Sequence, residues 1–166
     1  EQISKEALTR LIGIQLQDTQ LFSGSLKDNI FLGREWIDEQ YLSAILDLSG
    51  VENFLHLLPG GLDYLLSDRG MSLSGGQRQS ISLARTLIAK PEILLLDEPT
   101  SSMDLNSEQA FADKLRDHKS SATIIVATHR LPVLSAVNRV IVLSEGKIVL
   151  DDVKEEALKK LTKQQQ

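Results

Sequence analysis

Ile93-Leu94-Leu95-Leu96-Asp97-Glu98-Pro99 decides how the rest of the chain is read. Four successive apolar residues predict a buried parallel strand rather than an exposed antiparallel one. Asp97 and Glu98 end that strand and deliver two carboxylates to the edge of a sheet, where a Mg²⁺-bound phosphate can be met. As neighbours, their side chains face differently. Asp97 suits a hydrated Mg²⁺, and Glu98 suits the polarisation of an attacking water. The plain alternative is an acidic pair that caps the next helix or solvates a strand end.

Downstream, the pattern predicts a helix from about Asn106 to His118 and a strand over Thr123-Ile124-Ile125-Val126-Ala127. Another helix is expected near Leu134. Arg139–Leu143 reads as a further strand, turned back by Glu145-Gly146 into Lys147–Leu150. Strands alternating with helices give an α/β layer. From Val153 the chain becomes a charged surface helix with a narrow stripe of Ala157, Leu158 and Leu161. His129 follows the strand that ends at Ala127 and is suited to donate a ring hydrogen bond to a terminal phosphate oxygen. Packing against neighbouring polar groups is equally consistent with its position, and Arg130 can support the same turn.

Upstream, Ile12–Leu16 alternates as a short strand, and Gln17-Asp18-Thr19-Gln20 breaks into a polar turn. The amide oxygen of Gln17 can reach metal-bound water, although an exposed or structural role explains it as well. Residues 22 to 89 read as helical and compact. Ser25 caps a short helix, Asp38 caps the next, Val51–Leu58 adds a third stretch, and Pro59-Gly60-Gly61 stops it. Ser74-Gly75-Gly76-Gln77 then opens a helix with Ile81, Ala84, Leu87 and Ile88 on one side. Arg78, Ser82 and Arg85 fall largely on another side, where solvation is their default role. A helix start offers unpaired N–H groups to an anion, and two glycines permit close backbone approach. An ordinary cap explains Ser74 but not the glycine pair, because glycine in a first turn weakens a helix.

A formal charge of −5 argues against a general polyanion-binding surface, so no nucleic acid partner is expected and any phosphate affinity must be local. The absence of cysteine removes disulfides and thiolate metal ligands together. His56, His118 and His129 are too far apart in sequence to form a metal cluster with short spacing.

Order and spacing carry more than any single motif. Gln17, Leu73-Ser74-Gly75-Gly76-Gln77, Leu94–Thr100, Ser101-Ser102-Met103-Asp104 and Thr128-His129-Arg130 resemble, in that order, the Q-loop, signature, Walker B, D-loop and H-loop of ABC transporter ATPases. Phe22–Ile30 and Asp68-Arg69-Gly70 look like the exporter branch. The likeness covers nearly the whole chain. It implies an α/β fold, an incomplete P-loop NTPase of the ABC ATPase type, with a helical subdomain and a largely parallel sheet core. The partition it implies is a partial ATPase domain over 1–166. Within it lie a helical signature-containing region at 19–89, a Walker B and H-loop region at 90–150, and a C-terminal helix and tail at 151–166.

By the same resemblance, Ser74, Gly75, Gly76 and Gln77 contact the terminal phosphate of an ATP held mainly by a second ATPase domain. Asp97 helps hold Mg²⁺ with Gln17, which also couples nucleotide occupancy to the membrane part. Glu98 is the catalytic base, His129 contacts the terminal phosphate, and Ser102 and Asp104 communicate across the dimer. Residues 19–32 face the transmembrane domains, which places the parent domain on the cytoplasmic side of a membrane.

One departure outweighs the others. No Gly-x-x-x-x-Gly-Lys-Ser/Thr occurs anywhere, so the backbone cradle and lysine for the β and γ phosphates are not in these residues. Glu1 onward resembles the linker before the Q-loop strand, which implies a fragment that needs an N-terminal Walker A portion. Alone it is expected to bind MgATP weakly and hydrolyse it negligibly. Ser80 stands where many relatives carry a basic residue, and Met103 replaces a smaller or leucine-like one. The competing expectation is a noncatalytic interaction module that keeps an ATPase-like surface.

Overall fold

The computed structural model describes residues 4–18, 20–34, 37–118 and 121–163. Ser4 caps α1 (Lys5–Leu11) by accepting from the Ala7 amide, and the helix runs directly into β1 (Ile12–Gln15). The apolar run at 93–96 becomes β4 (Ile93–Asp97), the centre of a parallel sheet of order β1-β4-β5, with β5 spanning Thr123–Ala127. Its register pairs Gln15 with Leu96 on one side and Asp97 with Ala127 on the other. The expected parallel strand forms, but it is buried more on one face than on the other. Gly13, Gln15, Leu94 and Leu96 are buried, whereas Ile14 and Ile125, in register with Leu95 on the opposite face, are each 55% exposed.

The crossover from β1 to β4 carries the helical region. It contains β2 (Gly24–Ser25), α2 (Leu26–Phe31), α3 (Glu39–Ser49), α4 (Glu52–Leu55), β3 (Leu65–Leu66) and α5 (Gly75–Leu87). Caps fix the helix starts. Ser25 and Asp28 form a reciprocal capping box on α2, and Asp38 accepts from the Tyr41 amide at α3. α3 ends on Gly50 at φ 80°, a left-handed position that glycine adopts without steric cost. Two features differ from the sequence reading. Val51–Leu58 gives one short helix and then turns, and β2 pairs antiparallel with β3 inside a region read as wholly helical.

α5 joins this region to the sheet. Ile81, Leu83, Ala84 and Leu87 belong to one apolar core that runs from Leu26, Ile30 and Ile45 to Leu94, Leu96, Phe111 and Leu115. The approach at Gly13 is close: a Cβ there would meet Pro91 and Thr86 carbons at 2.9 Å. After β4, α6 (Leu105–Asp117) returns the chain to β5. A 3₁₀ turn over Pro132–Ala136 stands where a helix near Leu134 is expected. β6 (Arg139–Ser144) and β7 (Lys147–Val153) form a separate antiparallel hairpin, followed by α7 (Lys154–Lys163). Among the described residues no helix is long and apolar enough to cross a membrane.

Candidate functional site

Parallel strands bring their carboxyl ends to one edge, and the expected carboxylates sit there. Asp97 is exposed at the end of β4. Glu98, the next residue, is half-buried and has φ 45°, a left-handed conformation that costs a non-glycine residue roughly 1–2 kcal/mol. The surroundings hold it in place. Its N–H donates to the Ala127 carbonyl at 2.9 Å, continuing the pairing with β5. Its carboxylate receives the Thr128 hydroxyl at 3.1 Å and the His129 amide at 3.2 Å, and lies 2.7 Å from His129 Nδ1. Burial alone raises the Glu98 pKa. The hydrogen bonds from His129 and Thr128 outweigh it, and the net direction is downward.

Behind this edge lies a polar cluster that the sequence did not reveal. Glu108 on α6 is 1% exposed, accepts the Thr100 hydroxyl at 2.7 Å and pairs with Arg130 at 3.2 Å. Arg130 also donates to the Ser101 carbonyl at 3.1 Å. The support expected of Arg130 is therefore a part-buried tie between the histidine turn, α6 and the Ser101–Asp104 loop. Asp104 caps α6 through the Ser107 amide and hydroxyl at 2.9 and 3.0 Å.

The glycine motif forms the start of α5. Ser74 and Gln77 make a complete capping box, with the Gln77 amide donating to Ser74 Oγ at 3.1 Å and Ser74 N–H to Gln77 Oε1 at 2.8 Å. Acceptance from Gln77 leaves the serine hydroxyl proton to donate elsewhere. The glycines have a packing role as well. A Cβ on Gly76 would lie 3.1 Å from the Ser102 carbonyl oxygen, and one on Gly75 would lie 3.4 Å from Ser102 Oγ. The start of α5 thus rests on the loop that follows Glu98.

Gln17 is exposed in the turn beyond β1, at the same sheet edge as Asp97, while Gln15 points into the core with its Oε1 unpartnered. The solvated role expected of Arg85 is not what the structure has. Arg85 donates to Asn29 O at 2.7 Å, Asn29 Oδ1 at 3.0 Å and Gln20 O at 3.1 Å, and its guanidinium sits 5.1 Å from the Phe22 ring. No group of three or more histidine or acidic side chains able to hold a metal occurs among the described residues. An exposed Asp97 at the same sheet edge as the exposed Gln17 fits Mg²⁺ that keeps several waters and takes further ligands from a phosphate.

A parallel sheet with an acid pair on its carboxyl edge, a histidine against one carboxylate and a glycine-rich helix start define a nucleotide-phosphate class of α/β protein. Family comparison narrows it: the model described as ABC transporter matches residues 1–101, and this chain belongs to the ABC transporter family. It is 38% identical over 146 residues to the cyclolysin secretion/processing ATP-binding protein CyaB of Bordetella pertussis (strain Tohama I / ATCC BAA-589 / NCTC 13251). That match covers 88% of this chain and 20% of the relative. It is 36% identical over 148 residues to the probable multidrug resistance ABC transporter ATP-binding/permease protein YheI of Bacillus subtilis (strain 168), covering 89% and 25%. The structure of a bacterial Atm1-family ABC exporter with ATP bound matches with a TM-score of 0.84 and 31% identity, over 95% of this chain and 28% of that one. The chain therefore spans between a fifth and somewhat over a quarter of the length of these relatives.

Proposed function

We propose that these residues are part of the ATPase domain of an exporter subunit, in which ATP-driven dimer closure is coupled to translocation across a membrane. The observation that carries this reading is Glu98, delivered by the central strand to the sheet edge and gripped by Thr128 and His129. Glu98 is the general base that orients and polarises the attacking water. His129 fixes the carboxylate and contacts the terminal phosphate. Asp97 and Gln17 would hold Mg²⁺, which when bound neutralises charge on the β and γ phosphates. Ser74, Gly75, Gly76 and Gln77 meet the terminal phosphate of the nucleotide held by a second ATPase domain, where the helix N-terminus favours negative charge. Ser102 and Asp104 line the contact between the two domains.

The apolar face of Ile14, Leu95 and Ile125 supports a further part of the reading. An upstream portion carrying the phosphate-binding loop covers that side of the sheet. The stretch 19–32, of which Thr19 lies outside the described residues, faces the transmembrane domains, with Phe22 and Leu32 exposed at 55% and 46%, and the domain works on the cytoplasmic side of the membrane. The names of the relatives, a secretion protein and a multidrug resistance protein, favour export. The second reading is a noncatalytic interaction module, which the true absence of a phosphate loop upstream in the parent chain would favour. Glu98→Gln in the full-length chain separates them. ATP binding persists and turnover falls by about a hundredfold or more if Glu98 is the base. Unchanged turnover would remove Glu98 from the mechanism, and tight stoichiometric ATP binding by the 166-residue chain alone would reject the need for an upstream portion.

A further inference from the structure

Gln79 lies in the second turn of α5 and is 2% exposed. Both ends of its amide are used, and all its partners lie on one segment. Nε2 donates to the Glu98 carbonyl at 2.9 Å and to Ser101 Oγ at 3.2 Å, and Oε1 accepts the Ser102 amide at 3.3 Å. Its own carbonyl takes Gln15 Nε2 at 3.4 Å. One buried side chain therefore spans the stretch from the left-handed Glu98 peptide to the loop on which Gly75 and Gly76 rest.

We infer that Gln79 is a positioning residue that sets the Glu98 peptide and the Ser101–Ser102 loop according to where α5 lies. This rests on the ATPase reading given above. Ser74 and Gln79 are five residues apart on one helix, about 7 Å along its axis, so a load on the Ser74 end moves Gln79 as part of the same body. The carbonyl that Gln79 grips belongs to the residue whose carboxylate orients water. In the paired arrangement, Ser74 serves the nucleotide of one composite site and Glu98 that of the other. Gln79 makes the readiness of one site depend on occupancy at the other without touching either nucleotide.

The test uses the full-length chain in its membrane-embedded assembly, as wild type, Gln79→Glu and Gln79→Met. Gln79→Glu keeps shape and replaces two donors by a carboxylate oxygen. Gln79→Met removes every side-chain bond without adding charge, and serves where a buried carboxylate prevents folding. ATP turnover per folded site, KM for MgATP and thermal melting are measured on each. The expected result is kcat lowered about tenfold or more with KM changed less than about threefold, because the base is misplaced while nucleotide contacts survive. Buried packing alone would lower the melting temperature and the folded fraction but leave kcat per folded site unchanged, and that result overturns the inference. A wild-type assembly that hydrolyses no ATP overturns the ATPase reading and this inference with it. An active wild type with an unimpaired Gln79→Met overturns the inference alone.

Discussion

His129 Nδ1 lies 2.7 Å from Glu98 Oε1, and the same carboxylate oxygen also accepts the His129 backbone amide at 3.2 Å. The two residues follow adjacent parallel strands whose register pairs Asp97 with Ala127, so strand pairing brings carboxylate and histidine together. The histidine side chain is 79% exposed. Water and salt therefore compete with the contact, and it orients the carboxylate more than it stabilises the fold.

The lowered pKa of Glu98 fixes the sign of a pH effect. A carboxyl held below its unfolded value contributes stability that is present above the ordinary glutamate range and lost as pH falls through the folded value. Urea midpoints of the wild-type chain and Glu98→Gln are expected to differ at neutral pH and to converge as the solution is acidified below that value. A gap that stays constant with pH would mean that the ionised carboxylate is not what His129 and Thr128 stabilise.

Arg130 and Glu108 form a pair in which the acid is 1% and the arginine side chain 27% exposed. Arg130→Ala strands a buried carboxylate and is expected to cost about 3 kcal/mol, the usual scale for breaking such a pair. Replacing both by apolar residues, as Arg130→Met with Glu108→Leu, is expected to cost less than the single change. Equilibrium unfolding of the wild type and the two variants checks this, and a double variant less stable than Arg130→Ala would contradict it.

Gly75 and Gly76 differ in how closely they approach the Ser102 loop. Alanine at position 75 meets Ser102 Oγ at an ordinary 3.4 Å, so relief of the glycine entropy cost is expected to stabilise the chain by about 0.5 kcal/mol. Alanine at 76 meets the Ser102 carbonyl oxygen at 3.1 Å and must push backbone, so no such gain is expected. Melting temperatures of the two variants should move apart. Equal shifts would show that the Ser102 loop yields freely.

The sequence made β4 legible because the apolar run 93–96 and the following acid pair are contiguous, and it made the caps at Ser25, Asp38 and Ser74 legible because their partners are three residues away. β2 and β3, two residues each, are too short to show any alternation. The Val51–Leu58 stretch looked helical from its apolar content, but Leu57 is 68% exposed and supplies no packing to hold a second turn. Within the candidate site, the residues at the ends of strands could be found from motif order. Gln79, Glu108 and Arg85 could not, because a polar side chain on a helix reads as solvated until the partners 19, 8 and 56 residues away are known.

Gln15 is the buried polar group whose removal should cost least. Its side chain is 1% exposed, its Nε2 reaches the Gln79 carbonyl only at 3.4 Å, and its Oε1 has no partner. An unsatisfied buried amide oxygen costs on the order of 1–3 kcal/mol, whereas the bond on its other end is long and weak. Leucine has similar bulk and suits the neighbours Leu96 and Val126, which pair in register with position 15 through β4. Gln15→Leu is therefore expected to leave the chain as stable as wild type or to stabilise it by about 1 kcal/mol, measured as a urea midpoint at unchanged slope. A loss of more than about 1 kcal/mol would mean that the Gln15 oxygen is satisfied after all, and that its link to Gln79 helps hold α5 against β1.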